Sequence, residues 1–262
     1  MVKKKEEQTT GKNIGKNMCK IEQKLQRKHL IALSFFLPLL VMTGCCIVFG
    51  VQPFGDNSLL IIDGLHQYMP FYSVLYDKGG ETLFYSFRSG LGINFLSLFS
   101  YYLSSPFNLL ILFFKKSQLN MAVSMIIVLK IACSGMTAGI YFSSKSKKQG
   151  FSTVMISMAY AVSSYMVGYC WNVMWLDAIM IFPIIMMGLE RLIEKKDGRL
   201  YCIALFYALY CNYYIAFMIC IFAVIWYLLY SFKSIKQFFF RGIAFAFYSF
   251  LAAGMAAILL IP

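Results

Sequence analysis

Histidine is nearly missing from this chain: His29 and His66 are the two copies in 262 residues. Acidic residues are also scarce, 11 against 24 lysines and arginines. Eight cysteines are present (Cys19, Cys45, Cys46, Cys133, Cys170, Cys202, Cys211, Cys220), yet none forms a C-x-x-C pair and histidine companions are few. That composition gives no metal-binding pattern. Gly90-x-Gly92 lacks a third glycine and a preceding strand, so it is not a phosphate-binding fingerprint. No internal repeat of the kind that builds many transporters is visible. Charged residues make up only 13% and sit between long apolar runs rather than along amphipathic faces.

What remains is apolar. Sixty per cent of the residues are hydrophobic, and several windows reach the roughly 20 residues that cross about 30 Å of hydrocarbon. Backbone in lipid is satisfied only in helices or closed barrels. The runs are continuous rather than alternating, which selects helices and an all-α, polytopic transmembrane protein. The net charge of +13 is not a nucleic-acid footprint, because nine basic residues precede His29 and most others border apolar segments. Examples are Lys145, Lys147 and Lys148, then Arg191, Lys195, Lys196 and Arg199, then Lys233, Lys236 and Arg241. This is the positive-inside pattern, with anionic lipid headgroups as natural partners.

Read along the chain, residues 1–28 form a basic cytoplasmic tail and residues 29–262 a membrane domain. About seven spans are expected. The first runs from about Leu30 to Val51, read as an uncleaved anchor because Met42-Thr43-Gly44-Cys45 lacks the leucine of a lipoprotein cleavage site. A long outer segment, 52–118, follows. It holds an interfacial helix from Leu65 to Tyr76, a turn at Arg88 to Gly92, and a re-entrant or interfacial stretch from Tyr101 to Phe114 that Ser104-Ser105-Pro106 breaks near its start. Further spans are expected over Leu119–Phe142, Phe151–Tyr169 and Ala178–Ile193. Leu200 to Phe232 has basic flanks at both ends and must form two short spans with an apex at Cys211 to Tyr214. The last segment runs from Gly242 to Pro262, where the chain stops within apolar sequence, as a truncated chain would. The N-terminus is thus expected in the cytoplasm and Asp63 outside. Most of the cysteines lie in apolar runs as small hydrophobes; a disulfide between Cys170 and Cys211, which could both approach the outer surface, is the minor alternative.

Asp63, His66 and Gln67 are spaced i, i+3, i+4 and share one helical face. A carboxylate at the membrane edge either caps the interfacial helix or, with its proton affinity raised by partial burial, serves as a general base. Arg88 lies in the same outer segment, and Lys130 lies mid-span, where a charge is costly and faces a partner or cavity. Two readings stay open for Lys130: snorkelling or pairing, with Asp177 as a candidate partner, or contact with the phosphate of a lipid carrier. Tyr68, Tyr72, Tyr101, Tyr102, Tyr213, Tyr214, Trp171 and Trp175 suit either sugar stacking or the ordinary aromatic belt.

The run Asp63-Gly64-x-His66-Gln67-Tyr68-x-Pro70-Phe71, followed by Ser89-Gly90-Leu91-Gly92-x-Asn94, Tyr101-Tyr102-x-Ser104-Ser105-Pro106, Trp175-Leu176-Asp177 and Asn212-Tyr213-Tyr214, resembles the bacterial YfhO family. The resemblance implies the N-terminal part of a GT-C-like glycosyltransferase acting on lipoteichoic acid or a related wall polymer of Gram-positive bacteria. It implies a polyprenyl-phosphate sugar as donor, which is a substrate, and no cofactor. Asp63 matches the acidic residue such enzymes keep in the first outer loop. On this reading Asp63 is the catalytic base, and His66, Gln67, Tyr68, Arg88, Lys130 and Asp177 are the candidate substrate-binding residues, with no metal ligand among them. The rival is a non-enzymatic transporter of a lipid or polymer, in which Asp63, Lys130 and Asp177 line a pathway.

Overall fold

The computed structural model describes residues 26–77, 84–87, 91–145, 150–230 and 232–261. The helices are α1 (Gln26–Val48), α2 (Met69–Asp77), α3 (Phe95–Leu98), α4 (Leu119–Lys145), α5 (Phe151–Ala161), α6 (Ser164–Gly168), α7 (Val173–Lys195), α8 (Arg199–Cys211), α9 (Tyr213–Leu229), α10 (Ile235–Met255) and α11 (Ala257–Leu260). No strand occurs among the described residues, where pairing is limited to the isolated bridges Val51 to Asn57 and Ser86 to Ile93. Residues 1–25 of the expected basic tail and the turn residues Arg88 to Gly90 lie outside the described residues, while Gln26 to Lys28, the end of that expected tail, already belong to α1.

Among the described residues five helical stretches are long and apolar enough to cross a membrane: α1, α4 with its lead-in from Lys116, Phe151–Gly168, α7 and α10. Helices α8 and α9 are shorter, at 13 and 17 residues, or about 20 and 26 Å at 1.5 Å per residue. They come from the one apolar run expected to break, and Asn212 is the break: its Oδ1 accepts from Ile215 N at 3.0 Å and starts α9. The last helix begins at Ile235, earlier than the expected Gly242, because Ser234 caps it and Lys236, Gln237 and Arg241 are carried on its first turns.

α4 and α7 are mostly buried and form the centre, while α1 and α10 are mostly uncovered at the periphery. α1 and α4 run antiparallel. Arg27 Nε donates to Ser143 Oγ at one end (3.1 Å), and Ser58 Oγ donates to Asn120 Oδ1 at the other (2.6 Å). Small residues set their crossing. A Cβ on Gly135 would fall 2.3 Å from the Ser34 carbonyl oxygen, and one on Gly139 would fall 2.7 Å from Ser34 Oγ. This is the Gly-x-x-x-Gly contact of membrane helices. Gly188 serves α7 in the same way, since its Cβ would meet Tyr201 N of α8 at 2.5 Å.

Pro183 sits inside α7 and offers no N–H to the carbonyl four residues back. In hydrocarbon that orphan must find a donor. Tyr160 supplies it, donating its hydroxyl to Ile179 O at 2.6 Å from α5.

Candidate functional site

The segment between α1 and α4 folds as a platform on one membrane edge. Asp63 heads a π-helical turn, Gly64–Tyr68, which continues directly into α2. Gly64 lets that turn lie close on the start of α7, for a Cβ there would be 3.3 Å from Trp171 Cβ. Three tyrosines, Tyr68, Tyr72 and Tyr76, follow at i, i+4 and i+8 and pin the helix inward. Their hydroxyls donate to Asn172 Oδ1 (3.0 Å), Asn108 Oδ1 (3.1 Å) and Phe114 O (3.0 Å). Tyr68 and Tyr72 are therefore buried anchors rather than members of an aromatic belt.

The opposite face of this turn is open: Asp63, His66 and Gln67 are all exposed. Asp63 occupies the N-cap position but makes no side-chain capping hydrogen bond. The capping role considered for it is not taken up. Immediately before it, Ile62 has φ +49°, a left-handed conformation that a β-branched residue adopts only under local strain. Such strain costs about 1–3 kcal/mol and concentrates at functional sites.

Gln67 Nε2 donates to the Tyr102 hydroxyl at 3.3 Å. Burial, with the Tyr102 hydroxyl and the Asp63 carboxylate nearby, pushes the Tyr68 phenol above its ordinary value and keeps it a neutral donor. From Trp171 an aromatic row extends through Tyr68 (6.2 Å between ring centres), Tyr102 (5.3 Å), Tyr101 (4.6 Å) and Tyr213 (5.4 Å). Trp175 and Tyr214 stand 6.1 Å apart on the same edge. Two buried donors there, Asn172 Nδ2 and Trp175 Nε1, have no hydrogen-bond partner in the protein.

The expected interruption at Ser104-Ser105-Pro106 is present. Phe95–Leu103 and the 3-10 segment Pro106–Phe113 meet at 95°. Ser105 at the bend is buried in the protein and donates to Asp177 Oδ1 at 2.9 Å. Asp177 also accepts from the Tyr207 hydroxyl (2.9 Å) and from Lys130 Nζ (2.5 Å), and the ammonium donates in addition to Val173 O at 3.0 Å. Lys130 and Asp177 are both fully buried. Of the two readings left open for Lys130, pairing is the one the structure displays. The platform and the buried pair are thus joined through Ser105. Arg88, the remaining cation of the outer-segment set, is outside the described residues.

Sequence reasoning did not single out Ser105, Tyr207 or Asn172 for the contacts they make. A hydroxyl beside a helix-breaking proline was the available signal for Ser105; Tyr207 carried none. Cys170 and Cys211, considered as a disulfide, are both free and buried. Among the described residues no group of three or more His, Cys, Asp or Glu side chains is placed to hold a metal ion.

Beside the platform lies an apolar cavity of about 390 Å³ between α1, the 3-10 segment and α4, lined by Leu39, Cys46, Leu110, Phe113, Phe114 and Met125 among others. The buried Ser124 hydroxyl on its wall has no partner. Exposed Lys115 follows Phe114 directly in the chain. Lys116 is paired with Asp77.

These features define a multi-pass, all-α membrane protein with an ordered polar and aromatic platform at one membrane edge. A family model described as bacterial membrane protein YfhO matches residues 34–262, and the chain belongs to the YfhO family. No curated protein and no solved structure matches it.

Proposed function

We propose that this protein is a membrane glycosyltransferase that moves a sugar from a polyprenyl-phosphate carrier to an acceptor outside the membrane, such as lipoteichoic acid or another wall polymer. The single observation that carries the reading is Asp63: an exposed carboxylate, free of capping duty, preceded by a strained residue and flanked by Gln67 and an aromatic row. The basic residues at the other ends of α1, α4 and α7 support an outside position for that edge by the positive-inside rule. Nucleotide-activated sugars are confined to the cytoplasm, so a donor used outside must be carried by a lipid.

In the proposed step the acceptor hydroxyl oxygen bonds to the anomeric carbon as the bond from that carbon to the phosphate oxygen breaks. The phosphate leaves with the electron pair, and the hydroxyl proton passes to Asp63. One displacement inverts the anomeric centre. Tyr101, Tyr102 and Tyr213 offer faces for the sugar ring, with Gln67 and His66 as its polar contacts. The apolar cavity suits an isoprenoid chain, and Lys115 at the end of its wall, together with Arg88, supplies positive charge for the departing phosphate. Lys130 and Asp177 act on this site only by fixing Ser105 and the helices around it.

The test is transfer of label from a radiolabelled polyprenyl-phosphate sugar to polymer acceptor in proteoliposomes made with the product of the intact gene. Label that reaches the acceptor, with polyprenyl phosphate released in equal amount, supports the reading. Labelled donor that crosses the bilayer unchanged makes the protein a transporter instead.

A further inference from the structure

At the opposite membrane edge, the start of α10 and the end of α7 border an open surface cavity of about 430 Å³ lined by Lys196, Ser234, Lys236, Gln237, Phe240 and Arg241. It holds three cations, and no carboxylate lines it among the described residues. Arg241 is only 7% exposed, and its Nη1 is buried with no hydrogen-bond partner among the described residues. A guanidinium is always charged, and a buried donor on a charged group is costly to leave unpaired. One arm of the Arg241 guanidinium is thus available to an acceptor.

The adjacent cavity of about 400 Å³ shows what a self-satisfied site looks like. It mixes Arg27, Lys145, Arg191 and Lys195 with Glu190 and Glu194. Lys145 Nζ is 2.5 Å from Glu190 Oε2, and Glu194 accepts from the Tyr230 hydroxyl at 2.9 Å. The Arg241 cavity has no such internal acid. It also lies at the N-terminus of a 21-residue helix, where the dipole favours an anion. Lys196 is held at its rim in a left-handed C-cap with Nζ 5.4 Å from the Phe240 ring centre.

We propose that this cavity binds the phosphate of an anionic membrane lipid. The phosphate would receive Arg241 from below and Lys196 and Lys236 from the rim, planar guanidinium being well matched to phosphate oxygens. The lipid source follows from the surface beyond the cavity. Phe239, Phe240, Ile243 and Phe247 on α10 are exposed by 59–71% and continue from the headgroup position over the first half of the helix as an acyl-chain track. A lipid whose headgroup is net negative should bind, and one whose phosphate is offset by a choline cation should not. This inference is independent of the sugar-transfer reading, which concerns the other membrane edge.

Native mass spectrometry of the detergent-solubilised protein, titrated separately with phosphatidylglycerol, phosphatidylcholine and sn-glycerol phosphate, tests it. Phosphatidylglycerol should bind well ahead of phosphatidylcholine. Arg241→Gln should weaken it about tenfold or more, the scale of a hydrogen bond to a charged group. Lys236→Gln should weaken it about fivefold, near the value of one basic residue at an anionic surface, while Lys195→Gln in the neighbouring cavity leaves it unchanged. Because Arg241 is buried, Lys236→Gln and Lys196→Gln decide the matter if Arg241→Gln does not fold. Equal binding of the two lipids, or unchanged phosphatidylglycerol binding in the Lys236 and Lys196 variants, overturns the site. Competition by sn-glycerol phosphate at matching concentration overturns the lipid as occupant and makes it a soluble phosphate ester.

Discussion

Lys130 on α4 and Asp177 on α7 are 47 residues apart in the chain and meet as a fully buried ion pair, Nζ to Oδ2 2.5 Å. The pair is satisfied beyond its own contact, by Val173 O on one side and by Ser105 and Tyr207 on the other. It therefore ties α4, α7 and α8 to the bend of the re-entrant segment. Removing one member leaves the other charge stranded, which for buried pairs costs about 3–5 kcal/mol. Replacing both charges need not.

We expect Lys130→Met and Asp177→Asn each to lower thermal stability in detergent strongly, and the double variant to recover most of the loss. The asparagine still accepts from Ser105 and Tyr207, so only the charges disappear. Fluorescence-detected thermal denaturation of the four proteins completes the cycle. A double variant as unstable as the sum of the singles would mean that the two side chains stabilise this junction independently rather than as a charge pair.

How far this arrangement was legible in the sequence depends on how local the determinant is. Apolar run lengths and basic flanks marked the helices, Asn212 marked the break between α8 and α9, and Ser104-Ser105-Pro106 marked the bend, because each acts on its own neighbours. The spacing of Asp63, His66 and Gln67 put them on a shared face, but the turn is π-helical rather than α-helical, and its Gly64 packs close on Trp171, 107 positions further along the chain. Tyr160 meeting the carbonyl freed by Pro183, and Tyr68 meeting Asn172, are likewise products of tertiary packing. Periodicity reports which face is apolar; it carries no information on which distant group that face meets.

The Gly135-x-x-x-Gly139 contact, which the sequence reading did not single out, gives a second expectation. Gly135→Val should destabilise the protein by about 1–3 kcal/mol, the usual cost of overpacking a fitted contact, since its Cβ would collide with the Ser34 backbone oxygen. Gly44→Val, at a position with nothing within 4 Å of the new Cβ, should be near neutral. Thermal denaturation of both in one detergent checks it, and equal shifts would remove the packing argument.

Sidedness is open to direct labelling. In a cysteine-free background, Asp56→Cys should react with an impermeant maleimide in intact cells, and Arg199→Cys should react only after the membrane is permeabilised. Both side chains are exposed, so access across the membrane is the variable. The reverse pattern would place Asp63 in the cytoplasm, where nucleotide sugars are available and the case for a lipid-borne donor lapses.

The sharpest expectation concerns Asp63→Asn. The amide keeps the size of the carboxylate, and the carboxylate makes no capping hydrogen bond to lose, so insertion and abundance should stay close to wild type. An amide cannot take the proton of an acceptor hydroxyl, and general-base catalysis is worth about 10²- to 10⁴-fold, so sugar transfer by the intact gene product should fall on that scale. His66→Gln leaves the base in place and should give a smaller loss, expressed mainly in KM if His66 contacts the sugar. Both variants are to be assayed for initial rate at saturating and limiting donor, with membrane abundance measured in parallel. If Asp63→Asn keeps most of the wild-type rate, the exposed carboxylate is not the base. Asp177 would then have to be drawn out of its pair with Lys130 to serve, which the stability cycle on that pair would reveal.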